Sequence, residues 1–518
     1  MEGTLWAFLP ALIAIVLALL TKQVYVSLFL GIFVGALMYA GGDPLNALFT
    51  LFQVMSEKVG GNTPIIVFLV VLGILVVLLQ KSGGAKAYGE WAGRKIKSKG
   101  GALAATAGLG CLIFVDDYFN CLTVGSVMRP VTDKFKISRA KLSYIIDATA
   151  APICIIAPIS SWAAAVSGEL DGDGLMVFIS TIPFNVYALL TIVMVFALCR
   201  FNFDFGKMKR CENIAEETGD LHAGEEEGAI GEEVQTNPKG KVRHLVIPVL
   251  VLIACCIGGM IYTGFFYNWD TGLIVSEPQS ANVIEAFSNC DAGMSLAIGS
   301  TVALVLISIY YMLSGVVSFK EITGSFTDGF KAMVPAILIL TFAWSISGIM
   351  GAKGGYLDAQ AFVQNNLANS AFPQFLFPAI FFILAGAIAF STGTSWGTFG
   401  VLVPIAVTIL GGSGTLAILT VSATLGGAVY GDHISPISDT TILASAGAQC
   451  NHVNHVNTQL PYATLVAVIA AISYVVAGLC ATLGGFVSCV VMWVSALALF
   501  ALAVLVIKSR NKKLAKKQ

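Results

Sequence analysis

GDHISPISDTTILASAG, Gly431 to Gly447, lies deep in an apolar chain yet carries two aspartates, a histidine, a proline, two threonines and three serines. The hydrophobic run Leu416–Tyr430 leads into it and Ile442–Ala446 leads out. A helix cannot pass Pro436 with its hydrogen-bond ladder intact, so a break is expected there. In a bilayer, broken backbone and carboxylates are tolerated only where they face protein or a wet cavity. An interrupted helix with free carbonyls, helix ends and two carboxylates suits a small cation. Asp432 and Asp439 are therefore candidate ion ligands; the plainer alternative is that they cap helix ends at a surface.

The rest of the chain places this stretch in a membrane. Of 518 residues, 57% are hydrophobic and 11% charged, with mean hydropathy +0.84; soluble domains carry about 25% charged residues. Apolar runs long enough to span recur from end to end. The 53 glycines suit close helix packing or helix breaks. Most of the eleven cysteines stand singly inside apolar runs and read as small packing residues. No phosphate loop, nucleophile elbow or CxxC metal spacing is present, so neither an enzyme nor a cofactor is expected. A net charge of −1 gives no reason to expect nucleic-acid binding. The segment Met1–Leu20 lacks a basic start, and a second apolar run follows at once, so it reads as a span and not a cleaved leader.

The expected architecture is an all-α polytopic membrane protein with about eleven crossings plus two hairpins. Leu175–Cys199 is among the crossings, and Gly41–Asn62 reads as a loop. Residues 1–63 form N-terminal scaffold helices. Residues 64–199 form a first repeat, with a hairpin at 101–131 and a broken helix at 141–168. Residues 200–243 form an acidic cytoplasmic linker, and 244–331 further scaffold helices. A second repeat occupies 332–483, with a hairpin at 372–411 and a broken helix at 415–448. Residues 484–518 give the last helix and a basic cytoplasmic tail. The basic loops Lys81–Lys99, Arg129–Lys141 and Lys508–Lys517 then fall on one side, which puts the N-terminus outside and the C-terminus in the cytoplasm. Whether the hairpins re-enter or fully span leaves these sides unchanged.

The two halves resemble each other. Each has a hairpin with a polar tip: FVDDYFN from Phe114 and FSTGTSWGT from Phe390. Each then has a broken helix, IIDATAAPICIIAPISSW from Ile145 and AVYGDHISPISDTT from Ala428. Pro-Ile-Ser occurs at Pro158–Ser160 and at Pro436–Ser438, 44 and 46 residues after Phe114 and Phe390. LLQKSGGAKAYGEWAGRK before the first hairpin also resembles IMGAKGGYLDAQAFVQNN before the second. The first hairpin leaves from the cytoplasm and the second from outside, which makes an inverted repeat of the kind secondary transporters use.

The candidate cation- or substrate-binding residues lie at these tips and breaks. The first tip offers Asp116, Asp117 and Asn120; adjacent carboxylates repel, so one binds a cation while the other pairs or is protonated. The second tip offers Ser391, Thr392, Thr394 and Ser395, whose hydroxyls suit a hard cation or bond across the hairpin. The first break adds Asp147, whose partner must come from elsewhere, and Ser160. The second adds Asp432, Ser435, Ser438, Asp439 and Thr440. Na⁺ is expected at Asp116, Asp432 and Asp439. His433, His452 and His455 could sense pH; for His452 and His455 the plainer reading, an interfacial pair among asparagines, is preferred. Trp162 and Trp396 are substrate contacts or packing anchors.

Together GDHISPISDTTILAS, FVDDYFN, APISSW and STGTSWGT resemble the NhaC-type sodium/proton antiporter family, over most of Pro64–Leu483. The resemblance implies cation-coupled secondary transport in a bacterial inner membrane, with Na⁺ and H⁺ as transported or coupling ions. It implies an elevator-like movement of the hairpin-bearing region against a scaffold, often in a homodimer. The family's acidic positions fall at Asp116, Asp117, Asp432 and Asp439. The leading expectation is a Na⁺/H⁺ antiporter, and the alternative is a Na⁺- or H⁺-coupled transporter of an amino acid or small organic acid. The expected partners are the lipid bilayer, a small cation and, in the alternative, an organic solute.

Overall fold

The computed structural model describes residues 3–21, 23–170, 174–201, 203–225, 236–268, 271–288, 290–350, 356–359, 361–362, 373–411 and 414–515. Most of the stretch 351–366, which resembles the segment before the first hairpin, lies outside them, as does the centre of the acidic linker. Among the described residues, seven helices are long and apolar enough to cross a membrane, nine if two bent pairs count as spans. The chain is an all-α polytopic membrane protein; its only described strands are a two-residue pairing of Tyr267–Asn268 with Leu273–Ile274.

Helices α1 (Leu9–Thr21) and α2 (Val24–Tyr39) pack together. The chain then turns by 119° into α3 (Pro44–Gly61), which occupies the stretch expected to be a loop. The GGDP sequence is a helix start: the Asp43 carboxylate accepts the Leu45 N–H at 3.0 Å, and Pro44 takes the first position, where no N–H is needed. Ala47, Leu51 and Val54 are buried on one face of α3, while Leu45, Phe49 and Phe52 are exposed on another. Next comes α4 (Thr63–Lys81), then α5 (Gly84–Lys95), a helix within the first basic loop.

The first hairpin is α6 (Lys99–Leu112) and α7 (Asp117–Lys134). The first broken helix is α8 (Arg139–Ala148), α9 (Ala151–Cys154) and α10 (Ser161–Ser167). The expected single span Leu175–Cys199 is instead two helices, α11 (Gly174–Thr181) and α12 (Val186–Phe201), because Pro183 interrupts the backbone ladder between them. The acidic linker holds α13 (Gly206–Thr218). Met208, Cys211 and Ala215 bury one face of it, and Lys99 reaches Glu212 at 2.7 Å and Glu216 at 2.5 Å.

The next helices are α14 (Arg243–Phe266), α15 (Val283–Ser288), α16 (Ala292–Leu313) and α17 (Phe319–Met350), which bends by 41° at Pro335. The second hairpin is α18 (Phe377–Thr392) and α19 (Ser395–Leu410). The second broken helix is α20 (Thr415–Ile434) and α21 (Asp439–Ala448), followed by α22 (His452–Leu479) and α23 (Gly485–Ala515).

The leading arm of the first hairpin, α6 with 14 residues, rises about 21 Å at 1.5 Å per residue, short of a hydrocarbon core about 30 Å thick. Its counterpart α18, with the turn Gln374–Leu376 before it, is among the helices long enough to cross. Each tip is tied to the break of its own half. The Ser161 N–H donates to the Val115 carbonyl at 3.0 Å, and the Ser435 hydroxyl donates to the Phe390 carbonyl at 2.7 Å. The halves also interlock. A Cβ on Gly125 of α7 would come within 2.4 Å of the Gly447 carbonyl carbon on α21, so only glycines allow that crossing. In the matching place, Trp162 of α10 packs on Trp396 and Phe399 of α19, with ring centroids 5.7 and 5.3 Å away. One buried apolar core runs continuously through both halves.

Candidate functional site

Four helices begin at the two tips and the two breaks, and each has a side-chain cap. Asp116 Oδ1 accepts the Phe119 N–H at 2.9 Å, and Ser160 Oγ accepts the Ala163 N–H at 3.1 Å. Thr394 Oγ1 accepts the Gly397 N–H at 3.4 Å, and Ser438 Oγ accepts the Thr441 N–H at 3.3 Å. At the second tip, Gly393 turns the chain at φ +69°, and a Cβ there would come within 2.4 Å of the Ile437 carbonyl oxygen. The caps leave α7, α10, α19 and α21 with their positive N-terminal ends at the tips and breaks, where negative charge is favoured.

The carboxylates gather beside these ends. Asp116, Asp117 and Asp432 are all buried, and Asp117 feels the charges of both the others. Asp117 Oδ2 accepts the Trp162 indole N–H at 3.1 Å, so the tryptophan at the first break is a hydrogen-bond donor to the hairpin acid. Asp432 Oδ2 accepts the Thr440 hydroxyl at 2.7 Å across the Pro436 break, and Ser438 Oγ lies 3.1 Å from that hydroxyl. Asn120 donates to the carbonyls of Gly110, Ile113 and Thr149 at 2.7, 2.9 and 3.0 Å, cross-bracing the first tip to the first break. Asp439 is exposed on the first turn of α21, with Tyr118 beside it, and its charge is felt by Asp432.

The hydroxyl residues take several roles. Thr392 donates to the Ile388 carbonyl at 2.9 Å within its own helix. Ser391 is half-buried and Ser395 buried at the second tip. Thr441 donates toward the Ser435 carbonyl at 3.0 Å and so braces the break. Among the described residues, no three His, Cys, Asp or Glu side chains are placed together as metal ligands. A cation held between Asp116, Asp117 and Asp432 would therefore need hydroxyl and carbonyl oxygens to complete its shell, as hard monovalent cations prefer.

Asp147 finds its partners on α22. Its Oδ2 accepts Gln459 Nε2 at 2.6 Å and lies 3.3 Å from His455 Nε2, and all three side chains are buried. Gln459 also donates to the His433 carbonyl at 2.7 Å, and His433 Nδ1 lies 3.0 Å from the Tyr187 hydroxyl. His455 is thus fully buried and not interfacial as expected. His452, the half-exposed member of the pair, bridges the Pro436 carbonyl at 2.8 Å and Ser445 Oγ at 3.2 Å. Sequence reading missed Gln459, although its place one turn after His455 puts both on one helix face. It also missed Glu169. Glu169 is buried just past α10, and neither of its carboxylate oxygens has a hydrogen-bond partner among the described residues.

The family whose description matches the chain is the Na+/H+ antiporter family, over residues 171–479. An uncharacterized protein of Haemophilus influenzae is 40% identical over 92% of this chain and 91% of its own length. The arginine/ornithine antiporter ArcD of Halobacterium salinarum is 41% identical over 22% of this chain and 24% of its own. The malate-2H(+)/Na(+)-lactate antiporter of Bacillus subtilis is 31% identical over 31% of this chain and 33% of its own.

Proposed function

Because this chain belongs to the Na+/H+ antiporter family and is a secondary transporter, we propose that it exchanges Na⁺ for H⁺ by alternating access. The observation that carries this reading is that buried Asp116 and Asp117, at the first hairpin tip, lie within electrostatic reach of buried Asp432, at the second helix break. Three carboxylates cannot all stay charged and unpaired in a site this dry. A proton or a sodium ion neutralises one of them, and either removes most of the cost of moving it through the bilayer. Competition between the two ions for one carboxylate couples their fluxes when only a loaded site changes sides. Thr440 and Ser438 orient Asp432, the Trp162 indole orients Asp117, and the helix N-termini offset the remaining negative charge. The hairpin-bearing region moves in an elevator-like way against the scaffold. The protein sits in a bacterial inner membrane with its C-terminus in the cytoplasm.

The test is the purified protein in vesicles carrying a pH dye. Added Na⁺ should drive proton movement against it, and Asp432→Asn should abolish that movement while the protein still folds and inserts. Full Na⁺-evoked proton movement in Asp432→Asn removes the cluster from the mechanism. The absence of any such movement in the unaltered protein removes Na⁺/H⁺ exchange.

A further inference from the structure

Glu169 is a buried acid for which the exchange at Asp116, Asp117 and Asp432 has no use. It is 7% exposed, and its carboxylate oxygens have no hydrogen-bond partner among the described residues. Its backbone is fixed by the end of α10, where the Glu169 N–H donates to the Val166 carbonyl at 3.0 Å. Gly168 lets that end meet α17: a Cβ there would come within 2.9 Å of the Trp344 indole nitrogen. That indole N–H is also buried without a hydrogen-bond partner among the described residues. On the other flank, a Cβ on Gly400 of α19 would lie 3.8 Å from Glu169 Oε1 and 2.8 Å from the Ala343 Cβ of α17. The carboxyl therefore stands in the seam where α10, α17 and α19 meet.

An ionised carboxylate without a donor is costly there, so burial favours the neutral acid. The opposing charge that reaches it is that of Lys58 on α3. Lys58 is exposed, and its stem runs along α17, since a Cβ on Gly348 would lie 2.8 Å from Lys58 Cε. Gly348 is one turn past Trp344, so the lysine stem and the seam share a face of α17. Other titratable groups on the surrounding elements are engaged or remote. Glu57 accepts from Gln53 at 3.0 Å and from Tyr356 at 3.2 Å. Asp291, at the start of α16, accepts the Met294 N–H at 2.8 Å, and Tyr310 and Tyr311 stand at the far end of that helix. Neither α11 nor α19 has a titratable residue, α4 has only Lys81 in its last turn, and the charged residues of α17 all precede Pro335. Asp171 and Asp173 follow in the chain, outside the described residues.

We propose that Glu169 is a proton-binding site that works this seam from the side away from the basic loops. Protonated, it rests between α10 and α19 and lets α17 close on them. When its proton passes to bulk water on that side, the carboxylate turns to Lys58 and holds the seam apart. The proposal rests on the reading that Na⁺ crosses by alternating access. It gives that movement a proton-dependent closing step, apart from the carboxylates that hold the cation.

The test is counterflow of labelled Na⁺ in oriented vesicles, at saturating Na⁺ and with pH varied only on the side away from the C-terminus. Counterflow moves no net proton, and saturating Na⁺ suppresses competition at the cation site. The rate should fall about tenfold per pH unit once Glu169 is mostly ionised. Glu169→Gln, neutral at every pH, should flatten that profile, and Glu169→Asp should keep one. Lys58→Gln removes the charge that stabilises the carboxylate, so the fall should move to higher pH by about half a unit. Asp171→Asn/Asp173→Asn should leave the profile in place. A profile unchanged in Glu169→Gln overturns the proposal, as does one lost in the Asp171/Asp173 double variant. Infrared difference spectra give a readout independent of transport: lowering the pH should raise a carboxylic-acid C=O band that Glu169→Gln lacks. If the unaltered protein shows no Na⁺ counterflow, the exchange reading fails and these spectra decide the proton site; the same band in Glu169→Gln overturns it.

Discussion

The Asp117 carboxylate has one indole donor, and under the proposed exchange that bond sets how the carboxylate meets a cation. Trp162 holds Oδ2 at 3.1 Å while its ring packs on Trp396 and Phe399 of the other half. Trp162→Phe keeps an aromatic ring in that cluster and removes only the donor. Hydrogen bonds to charged groups are worth about 1.5–3 kcal/mol. Apparent Na⁺ affinity in vesicle exchange should therefore change by at least tenfold, with expression and thermal stability little altered. An unchanged affinity would show that the indole serves packing alone. Thr440→Val makes the same kind of cut at Asp432, removing the 2.7 Å donor from Oδ2. It should weaken Na⁺ by tenfold or more while leaving the fold intact, as read by the Na⁺ concentration for half-maximal exchange. Glu169 is a different case, a buried carboxylate with no hydrogen-bond partner among the described residues, and burial of such a group is costly. Glu169→Gln should raise the melting temperature, because a neutral amide of the same shape costs less to bury.

Among the elements, the breaks and hairpins were legible because their signals are local. Pro436 ends α20, Ser438 starts α21, and acids and hydroxyls stand where an apolar run is interrupted; a single window contains all of this. The helix α3 was hidden by its own start, since Gly-Gly-Asp-Pro reads equally as a turn or as a cap before a helix. The linker helix α13 was hidden by its charge. Glu212 and Glu216 read as solvated, but Lys99, more than a hundred residues earlier, pairs with both. The partners of Asp147 were out of reach for the same reason: Gln459 lies 312 positions away, and only the folded chain brings them together. The crossing of α7 and α21 belongs to this scale too. Gly125→Val would drive a branched side chain into the Gly447 backbone, where even a Cβ has only 2.4 Å. Neither helix can yield without pulling a hairpin arm or a break out of place. The expected outcome is loss of folded protein, seen as aggregation in size-exclusion chromatography. Ser126→Val one position on, at an exposed position, should be tolerated.

Across the whole molecule, the two hairpins and the two breaks make matched contacts. Each tip bonds to its own break, and each hairpin's second arm packs on the last helix of the other half's break. Such pairing links the two hairpins and the two breaks to one another. Helix α17 stands outside these, since it packs against α2, α3 and α4 and meets the hairpin arm α19 along one face. If the hairpin body slides during transport, the α17–α19 contact must part and reform. At its closest, a Cβ on Gly400 of α19 would lie 2.8 Å from the Ala343 Cβ of α17. A disulfide asks for about 3.5–4.5 Å between Cβ atoms, so a small parting admits one. In Gly400→Cys/Ala343→Cys, oxidation should stop Na⁺-evoked proton movement and a reductant should restore it, while each single variant stays active under both conditions. Oxidised, fully cross-linked protein that still exchanges at the reduced rate would mean that these two helices move together, and the sliding body would have to be drawn elsewhere.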